Sequence, residues 1–124
     1  MTEDEKAAPG DAQAQLLATR LHDVREYLGL SQQYVADKTG IARSAVSDIE
    51  RGVRKVDSLE LRKLARLYMY PVGYFLGEEE VDEEVRALAR AVTDLTDDDR
   101  AEVVRFAQFL RYSAETDRKR QQQR

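Results

Sequence analysis

The sequence predicts an all-α protein in which five short helices form one domain and a C-terminal helical hairpin follows it. Apolar residues recur at intervals of three and four along most of the chain, which is the spacing of one helix face. Glycine and proline residues interrupt this pattern at short intervals, as they do between helices. No stretch alternates apolar and polar residues between turn signals, so the sequence predicts no strand.

The first thirteen residues differ from the rest in composition. They combine acidic residues, alanine, glutamine and a Pro9-Gly10 break without apolar periodicity, so we expect residues 1–13 to form a disordered arm. The first helix follows from about Gln15 and ends at Gly29. Its buried face is expected to carry Leu17, Leu21, Val24 and Leu28.

Two shorter helices are predicted next, separated by a tight turn. Ser31 can cap the second helix, and Gly40 ends it because glycine adopts the left-handed backbone that a short turn needs. The third helix covers residues 42–51. Val46 and Ile49 form its inward face, whereas its outward face is polar and short.

The fourth helix opens at Asp57, and Glu60 three residues later makes an acidic relative of a capping box. Pro71 then starts a short helical turn that returns further apolar side chains to the same core. Residues 14–77 are therefore predicted to form one compact domain of five helices. The apolar stripe of the fourth helix consists of Leu61, Leu64, Ala65 and Tyr68.

A run of glutamates at residues 78–80 marks the end of this domain. Two amphipathic helices are expected beyond it, the second beginning at Thr96, and together they form a hairpin over residues 78–117 with a polar tail at 118–124. Two helices alone cannot bury both apolar stripes, so pairing with a second copy or packing on the first domain must cover them. The expected dimerisation residues are Val85, Leu88, Val92, Val103, Phe106 and Leu110.

The net charge of −4 conceals an uneven distribution of charge. Residues 1–13 hold one basic residue against four acidic ones, residues 14–77 hold ten against seven, and residues 78–124 hold nine against thirteen. The predicted five-helix domain is therefore the basic part of the chain, which suits contact with nucleic-acid phosphates.

Several classes of function are disfavoured by what the sequence lacks. The chain has no cysteine, and its single histidine has no acidic residues at ligand spacing, so we expect no metal site and no cysteine nucleophile. It has no His-Glu-x-x-His motif and no phosphate-binding loop, so we expect no enzyme, no catalytic residue and no cofactor. No apolar run approaches about eighteen residues and the start is not signal-like, so we expect a cytoplasmic protein without membrane contact.

The most informative stretch covers residues 30–52 and reads Leu-Ser-Gln-Gln-Tyr-Val-Ala-Asp-Lys-Thr-Gly-Ile-Ala-Arg-Ser-Ala-Val-Ser-Asp-Ile-Glu-Arg-Gly. It places the small Ala36 where two helices cross and Gly40 at the corner between them. The outward face of its second helix carries side chains that can reach base edges from a major groove. Over about Leu17 to Gly77, the sequence resembles the lambda-repressor/Cro-like family of helix-turn-helix proteins, often called the XRE family.

The resemblance implies a five-helix domain that usually binds palindromic double-stranded DNA operators as a dimer. It also implies a salt bridge between Arg25 and Glu50 that links the first and third helices. The residues expected to contact bases are Arg43, Ser44, Ser47 and Asp48. The residues expected to contact phosphates are Gln32, Arg51, Arg54 and Lys55.

Two residues depart from the family pattern. Ala42 stands where a capping Ser, Thr or Asp is common, so the third helix either starts weakly or is capped by Ser44. Asp48 places a negative charge on the reading face, where it either accepts from a cytosine amino group or pairs with Arg51. Both departures bear on which DNA sequence is recognised.

These observations predict a sequence-specific transcriptional regulator, specifically a repressor that binds its operator as a homodimer through the recognition helix 42–51. An alternative keeps DNA binding but assigns the C-terminal segment to a protein partner, either a toxin or a metallopeptidase. Residues 61–77 also resemble domains found beside metallopeptidases of the anti-repressor type. The tail after Gly77 carries no peptidase signature, so this chain would be the regulator of such a system.

Overall fold

A computed structural model of the chain, which describes residues 9–123, confirms the all-α fold class. Seven helices and no strand are found among these residues, and none of the helices is long and apolar enough to cross a membrane. They divide into two compact units, one ending at residue 93 and the other beginning at residue 94. The helices are α1 (Pro9–Leu28), α2 (Gln32–Thr39), α3 (Arg43–Glu50), α4 (Ser58–Tyr68), α5 (Val72–Phe75), α6 (Glu83–Thr93) and α7 (Asp97–Gln122).

The first unit is organised around α1, which lies against α3, α4, α5 and α6, while α2 packs against α3 and α4. Each helix contributes the apolar side chains that its three- and four-residue spacing brings to one face. The most deeply buried large side chains are Leu21, Val35, Val46, Tyr68 and Phe75. This core fixes the position of the α2–α3 pair within the unit.

Local sequence signals set several helix ends as predicted. The Ser31 hydroxyl caps α2 by accepting a backbone hydrogen bond at 3.0 Å. At the start of α4, the backbone N–H of Glu60 donates to the Asp57 carboxylate at 2.7 Å, and the N–H of Asp57 donates back to Glu60 at 3.0 Å. The Thr96 hydroxyl caps α7 in the same manner at 3.1 Å. Caps of this kind typically contribute about 1 kcal/mol each.

The beginning of α1 differs from the expectation. The helix starts at Pro9, so residues 9–13, which were predicted to belong to a disordered arm, are helical. Proline is tolerated in the first turn of a helix because its missing N–H has no helical partner there, and Asp11 suits the positive end of the helix dipole. The first eight residues of the predicted arm lie outside the described residues.

The chain divides after residue 93 instead of after Gly77, because α6 belongs to the first unit. Helix α6 packs on α1, and its Ala89 lies in the hydrophobic core. The apolar stripe of α6 was expected to be covered either by a second copy or by the first domain. Part of this stripe therefore packs on the first domain. The predicted C-terminal element of residues 78–117 is thus shared between two units.

Val92 does not fit the predicted set of dimerisation residues. It is only 9% exposed, and a buried side chain has no free surface to offer to a second copy. The reason is that Val92 and Ala89 are three residues apart and share the buried face of α6. Val85 and Leu88 stay on the surface, 48% and 56% exposed.

The second unit consists of α7 and the short loop before it, and none of the described residues of α7 is buried. Phe106 and Leu110 are 62% and 51% exposed, and Val103 on the same face is 36% exposed. The Phe106 ring stacks on that of Phe109 with a centroid distance of 6.5 Å. The helix continues through most of the predicted polar tail, residues 118–124, since basic residues in its last turn suit the negative end of the dipole.

Candidate nucleic-acid interface

The turn between α2 and α3 is built from Thr39 and Gly40. Gly40 has a φ of 77°, a left-handed conformation that favours glycine. The buried Thr39 hydroxyl donates to the carbonyl of Val35 at 2.7 Å and accepts from the N–H of Ile41 at 3.2 Å. Thr39 therefore joins both sides of the corner. Gly40 was predicted from the sequence but Thr39 was not, and its only signal was a hydroxyl beside the turn glycine.

Two opposite faces of α3 have different environments. Val46 and Ile49 are 2% and 3% exposed and fasten the helix to the core. The opposite face carries Arg43 and Ser44, which are exposed, and Ser47, which is half-buried. Among the described residues, none of these three side chains has a hydrogen-bonding or ionic partner. The helix thus presents an anchored row of free polar groups.

Helix α3 begins directly after Ala42. Ala42 occupies the N-cap position without a side-chain hydrogen bond, and Ser44 provides no cap within the described structure. The sequence left open whether α3 starts weakly or is capped by Ser44, and the structure shows the weak, uncapped start. The core contacts of α3, and not its cap, hold this end of the helix in place.

Asp48 pairs with Arg51 one turn further along, at 2.5 Å. The two side chains are 40% and 65% exposed, so the pair lies at the surface. This contact corresponds to the intraprotein alternative for Asp48. Because the carboxylate is neutralised by its neighbour, its cost near DNA phosphates is reduced.

Helix α3 is tied to α1 by Arg25 and Glu50. The Arg25 guanidinium donates to the two Glu50 oxygens at 2.7 Å and 2.9 Å, and to the carbonyl of Leu30 at 2.8 Å. The side chains are only 10% and 3% exposed. The structure thus brings together the pair that the family resemblance implied, in the bidentate geometry that makes such contacts strong.

Glu50 also collects two further side chains. The amide of Gln32 donates to it at 3.3 Å, and Nδ1 of His22 lies 3.1 Å from the same oxygen. Burial alone would raise the pKa of the Glu50 carboxyl, but the hydrogen bonds from Arg25, His22 and Gln32 outweigh burial and lower this pKa. The hydrogen bond that Arg25 donates to Glu50 is also the main reason that the pKa of Arg25 is raised. The sequence analysis gave His22 no acidic partner, so its place in this network was missed.

Arg54 in the loop after α3 is held by Glu60. Two nitrogens of its guanidinium donate to the Glu60 carboxylate at 3.1 Å and 3.0 Å. Hydrogen bonds from Arg54 and from the backbone of Asp57 lower the pKa of Glu60. Lys55 beside them is exposed, and its ammonium has no ion-pair partner among the described residues. The four residues expected to contact phosphates therefore fall into two groups, since the side chains of Gln32, Arg51 and Arg54 have protein partners and that of Lys55 has none within residues 9–123.

Comparison with known proteins identifies the α2–turn–α3 segment as a helix-turn-helix. A helix-turn-helix family model matches residues 21–75, which span α2, the turn and α3. The chain is 32% identical over 89 residues to the HTH-type transcriptional regulator ImmR of Bacillus subtilis strain 168, and the match covers 67% of this chain and 70% of ImmR.

Two further relatives are longer than this chain. The HTH-type transcriptional regulators PuuR of Escherichia coli K12 and of Shigella flexneri are each 33% identical to it over 81 residues, which cover 65% of this chain and 40% of PuuR. No solved structure gives a significant match. The anchored α3 with its free polar face, the family model and the match to ImmR together show that the chain belongs to the XRE-type helix-turn-helix family of DNA-binding transcriptional regulators.

Proposed function

We propose that the chain is a transcriptional repressor that binds a palindromic operator as a homodimer, with α3 as the helix that lies in the major groove. The observation that carries this proposal is the free polar face of α3. Arg43 is exposed in the first turn, and a guanidinium without a partner among the described residues suits the two acceptors on the edge of a guanine. Ser44 and Ser47 are short enough to let the helix approach the neighbouring bases closely.

We further propose that Lys55 is the strongest phosphate contact, because its ammonium is exposed and free of carboxylates in the described structure. Arg51 and Arg54 lie at the same end of α3, and an arginine has more N–H donors than one carboxylate can occupy. Both can therefore hold their acidic partners and still donate to phosphate. Gln32 likewise keeps a second N–H after donating to Glu50.

Dimerisation is assigned to α7. One helix-turn-helix reads too few bases for a useful affinity, so two copies about 34 Å apart are normally required. The exposed stripe formed by Val103, Phe106 and Leu110 offers an apolar surface for a second copy. Val85 and Leu88 on α6 are exposed as well and offer a separate apolar surface for association.

A different partner for α7 is the second candidate function. The same stripe suits a toxin or a metallopeptidase, and the separation of α7 as its own unit is the observation that favours such a role. DNA binding is unchanged in this alternative. The mass of the isolated protein in solution distinguishes the two, because a homodimer forms without any other protein.

The test is selection of bound sites from random duplexes, followed by binding assays on the selected site and on a scrambled duplex. We expect two inverted half-sites about one helical turn apart. Arg43→Ala should weaken binding to the selected site by about 1–3 kcal/mol and relax its base preference. Arg111→Ala on α7, which also removes one exposed arginine, is the matched control. An unchanged ratio of selected to scrambled binding in Arg43→Ala would rule out the assignment of α3.

Repression is tested separately with a reporter gene whose promoter overlaps the selected site. Expression should fall when the wild-type protein is supplied and recover with Arg43→Ala. A rise in expression with the wild-type protein would identify an activator instead.

A further inference from the structure

A second basic surface of the first unit involves none of the residues expected to contact DNA. It is a groove of about 490 Å³ between the end of α2 and the exposed side of α4. Four cations surround it, namely Lys38, Arg62, Lys63 and Arg66. We refer to these four residues with Leu59 and Leu67 as the basic groove.

The cations of the basic groove have few contacts within the domain, the clearest being that of the Lys38 ammonium, which lies 5.5 Å from the centroid of the Tyr34 ring. All four are exposed, and none forms an ion pair within residues 9–123. The acid nearest to hand on α4, Glu60, already receives two hydrogen bonds from Arg54. Four like charges around one groove repel one another, so the arrangement has an electrostatic cost that an anionic occupant would remove.

Helix dipoles explain only part of this arrangement. Lys38 and Arg66 lie in the last turns of their helices, where a cation is favourable. Arg62 and Lys63 lie in the middle of α4, where no such reason applies. Lys63 lies three residues after Glu60 and helps to lower the pKa of that carboxyl, which leaves Arg62 as the charge that neither a helix dipole nor a described acidic neighbour explains.

The apolar residues of the basic groove indicate what kind of anion fits it. Leu59 is 64% exposed and lines the groove together with Leu67, which is partly buried against the core. Phosphate groups would leave this leucine surface uncovered. An acidic polypeptide can instead place carboxylates beside the cations and an aliphatic side chain on the leucines, which is the pattern of apolar centre and polar rim found in protein interfaces.

We propose that the basic groove is a docking site for an acidic segment of another protein, one that carries at least one aliphatic side chain among its carboxylates. This surface is distinct from the α3 face and from the apolar stripe of α7. The protein would thus have one surface for DNA, one for its own assembly and one for an acidic partner. Docking on the groove does not depend on which operator the protein reads.

The test uses three fluorescein-labelled peptides on the full-length protein. The first alternates glutamate with leucine, the second replaces each glutamate by glutamine, and the third replaces each leucine by serine. We expect the first peptide to bind at least about tenfold more tightly than either of the others, because recognition needs both charge and apolar contact. Equal binding of the glutamate-leucine and glutamate-serine peptides would mean only non-specific attraction and would overturn the proposal.

The location is tested with a variant in which Lys38, Arg62, Lys63 and Arg66 are all changed to glutamine. Glutamine forms helices well, so α2 and α4 should stay folded, which circular dichroism checks. The control changes four cations of α7 to glutamine, namely Arg111, Arg118, Lys119 and Arg120, and alters the net charge by the same amount. The groove variant should lose about tenfold or more in affinity for the glutamate-leucine peptide, and the control should lose less than about twofold.

Operator binding by the groove variant tests whether the four cations contact DNA phosphates instead of a protein. We expect its dependence on salt concentration to match that of the control. If its salt slope instead falls by several units, the four cations contact phosphates, and the basic groove is part of the DNA interface. Equal loss of peptide binding in the groove variant and the control would also overturn the proposal.

Discussion

Helices α1 and α7 are the two longest helices of the described structure, and both carry apolar residues at three- and four-residue spacing. In α1, Leu21 and Val24 are 1% and 3% exposed, whereas in α7 Phe106 and Leu110 are 62% and 51% exposed. The difference lies in what the rest of the chain supplies, since four helices of the first unit meet α1. An amphipathic pattern predicts a helix, but it does not identify the surface that covers it.

The largest expected effect is on the first unit, from removal of the charged contact between α1 and α3. Arg25→Ala leaves the Glu50 carboxylate buried without its main partner, so we expect a loss of about 3–5 kcal/mol in the free energy of unfolding. Urea denaturation followed by circular dichroism measures this change. Arg111→Ala in α7 removes an exposed arginine and should change the free energy by no more than about 0.5 kcal/mol. Equal effects of the two substitutions would contradict the contrast between the helices.

The contact between Arg25 and Glu50 also makes the stability of the first unit depend on pH. The pKa of Glu50 is lower in the folded protein than its unfolded value of about 4.3, so its stabilising contribution is present above that pH and is lost as the pH falls through the folded pKa. Wild-type stability should therefore fall more steeply below about pH 4 than that of Glu50→Gln, whose side chain does not titrate. Parallel curves for the two proteins would show that Glu50 is not responsible.

A matched pair of truncations compares the two apolar stripes directly. Leu21→Ala should cost about 2–5 kcal/mol because it opens a cavity in the core. Phe106→Ala should leave the unfolding of the first unit unchanged within about 0.5 kcal/mol, since its ring is exposed. Both are measured by denaturation in dilute solution, where association contributes least. A large loss in Phe106→Ala would indicate that its side chain is covered within the single chain.

Assembly is the property that α7 is expected to control. Phe106→Asp places a charge in the middle of the exposed stripe, so at micromolar concentration we expect this variant to be a monomer and the wild type to be a dimer. Light scattering gives the mass. Gln108→Asp adds the same charge nearly opposite on the helix and should remain dimeric. A dimeric Phe106→Asp protein would move the dimer interface away from α7.

The smallest expected effect concerns individual phosphate contacts. Lys55→Ala should lower the slope of binding against salt concentration by about one unit, for selected and scrambled duplexes alike. Arg54→Ala should lower it less, because Glu60 already holds that guanidinium. Arg118→Ala on α7 should leave the slope unchanged, and binding isotherms at four or five salt concentrations separate the three. A change with Arg118→Ala would place α7 near the DNA.

The sequence was sufficient wherever a structural feature depends on residues close together in the chain. The caps at Ser31, Asp57 and Thr96 depend on partners three residues away, and Gly40 marks a backbone conformation that other residues adopt at a cost. The buried faces of α1 to α4 follow from helical spacing alone. For these reasons the order of helices in the first unit was predictable.

Features that depend on the packing of distant segments were not predictable in this manner. Whether Asp48 turns outward or toward Arg51 is decided by side-chain geometry on α3, and the sequence allows both. Ala89 has too little apolar surface for the sequence to predict from it that α6 packs on α1. His22 joins Glu50 across 28 positions in sequence, and a single histidine gives no local signal of such a contact.

The two faces of α3 bear on how a protein of this kind can acquire new targets. Its inward side chains maintain the fold, whereas Arg43, Ser44 and Ser47 contribute no described side-chain contact to the domain. Mutations at these three positions can therefore change base contacts without removing a described side-chain contact that stabilises the domain. Position 48 is constrained differently, because replacing Asp48 also removes the ion-pair partner of Arg51 and changes the charge on the exposed surface of α3. The helix thus combines three positions that have no described side-chain contact with one whose replacement also alters the surroundings of a neighbour.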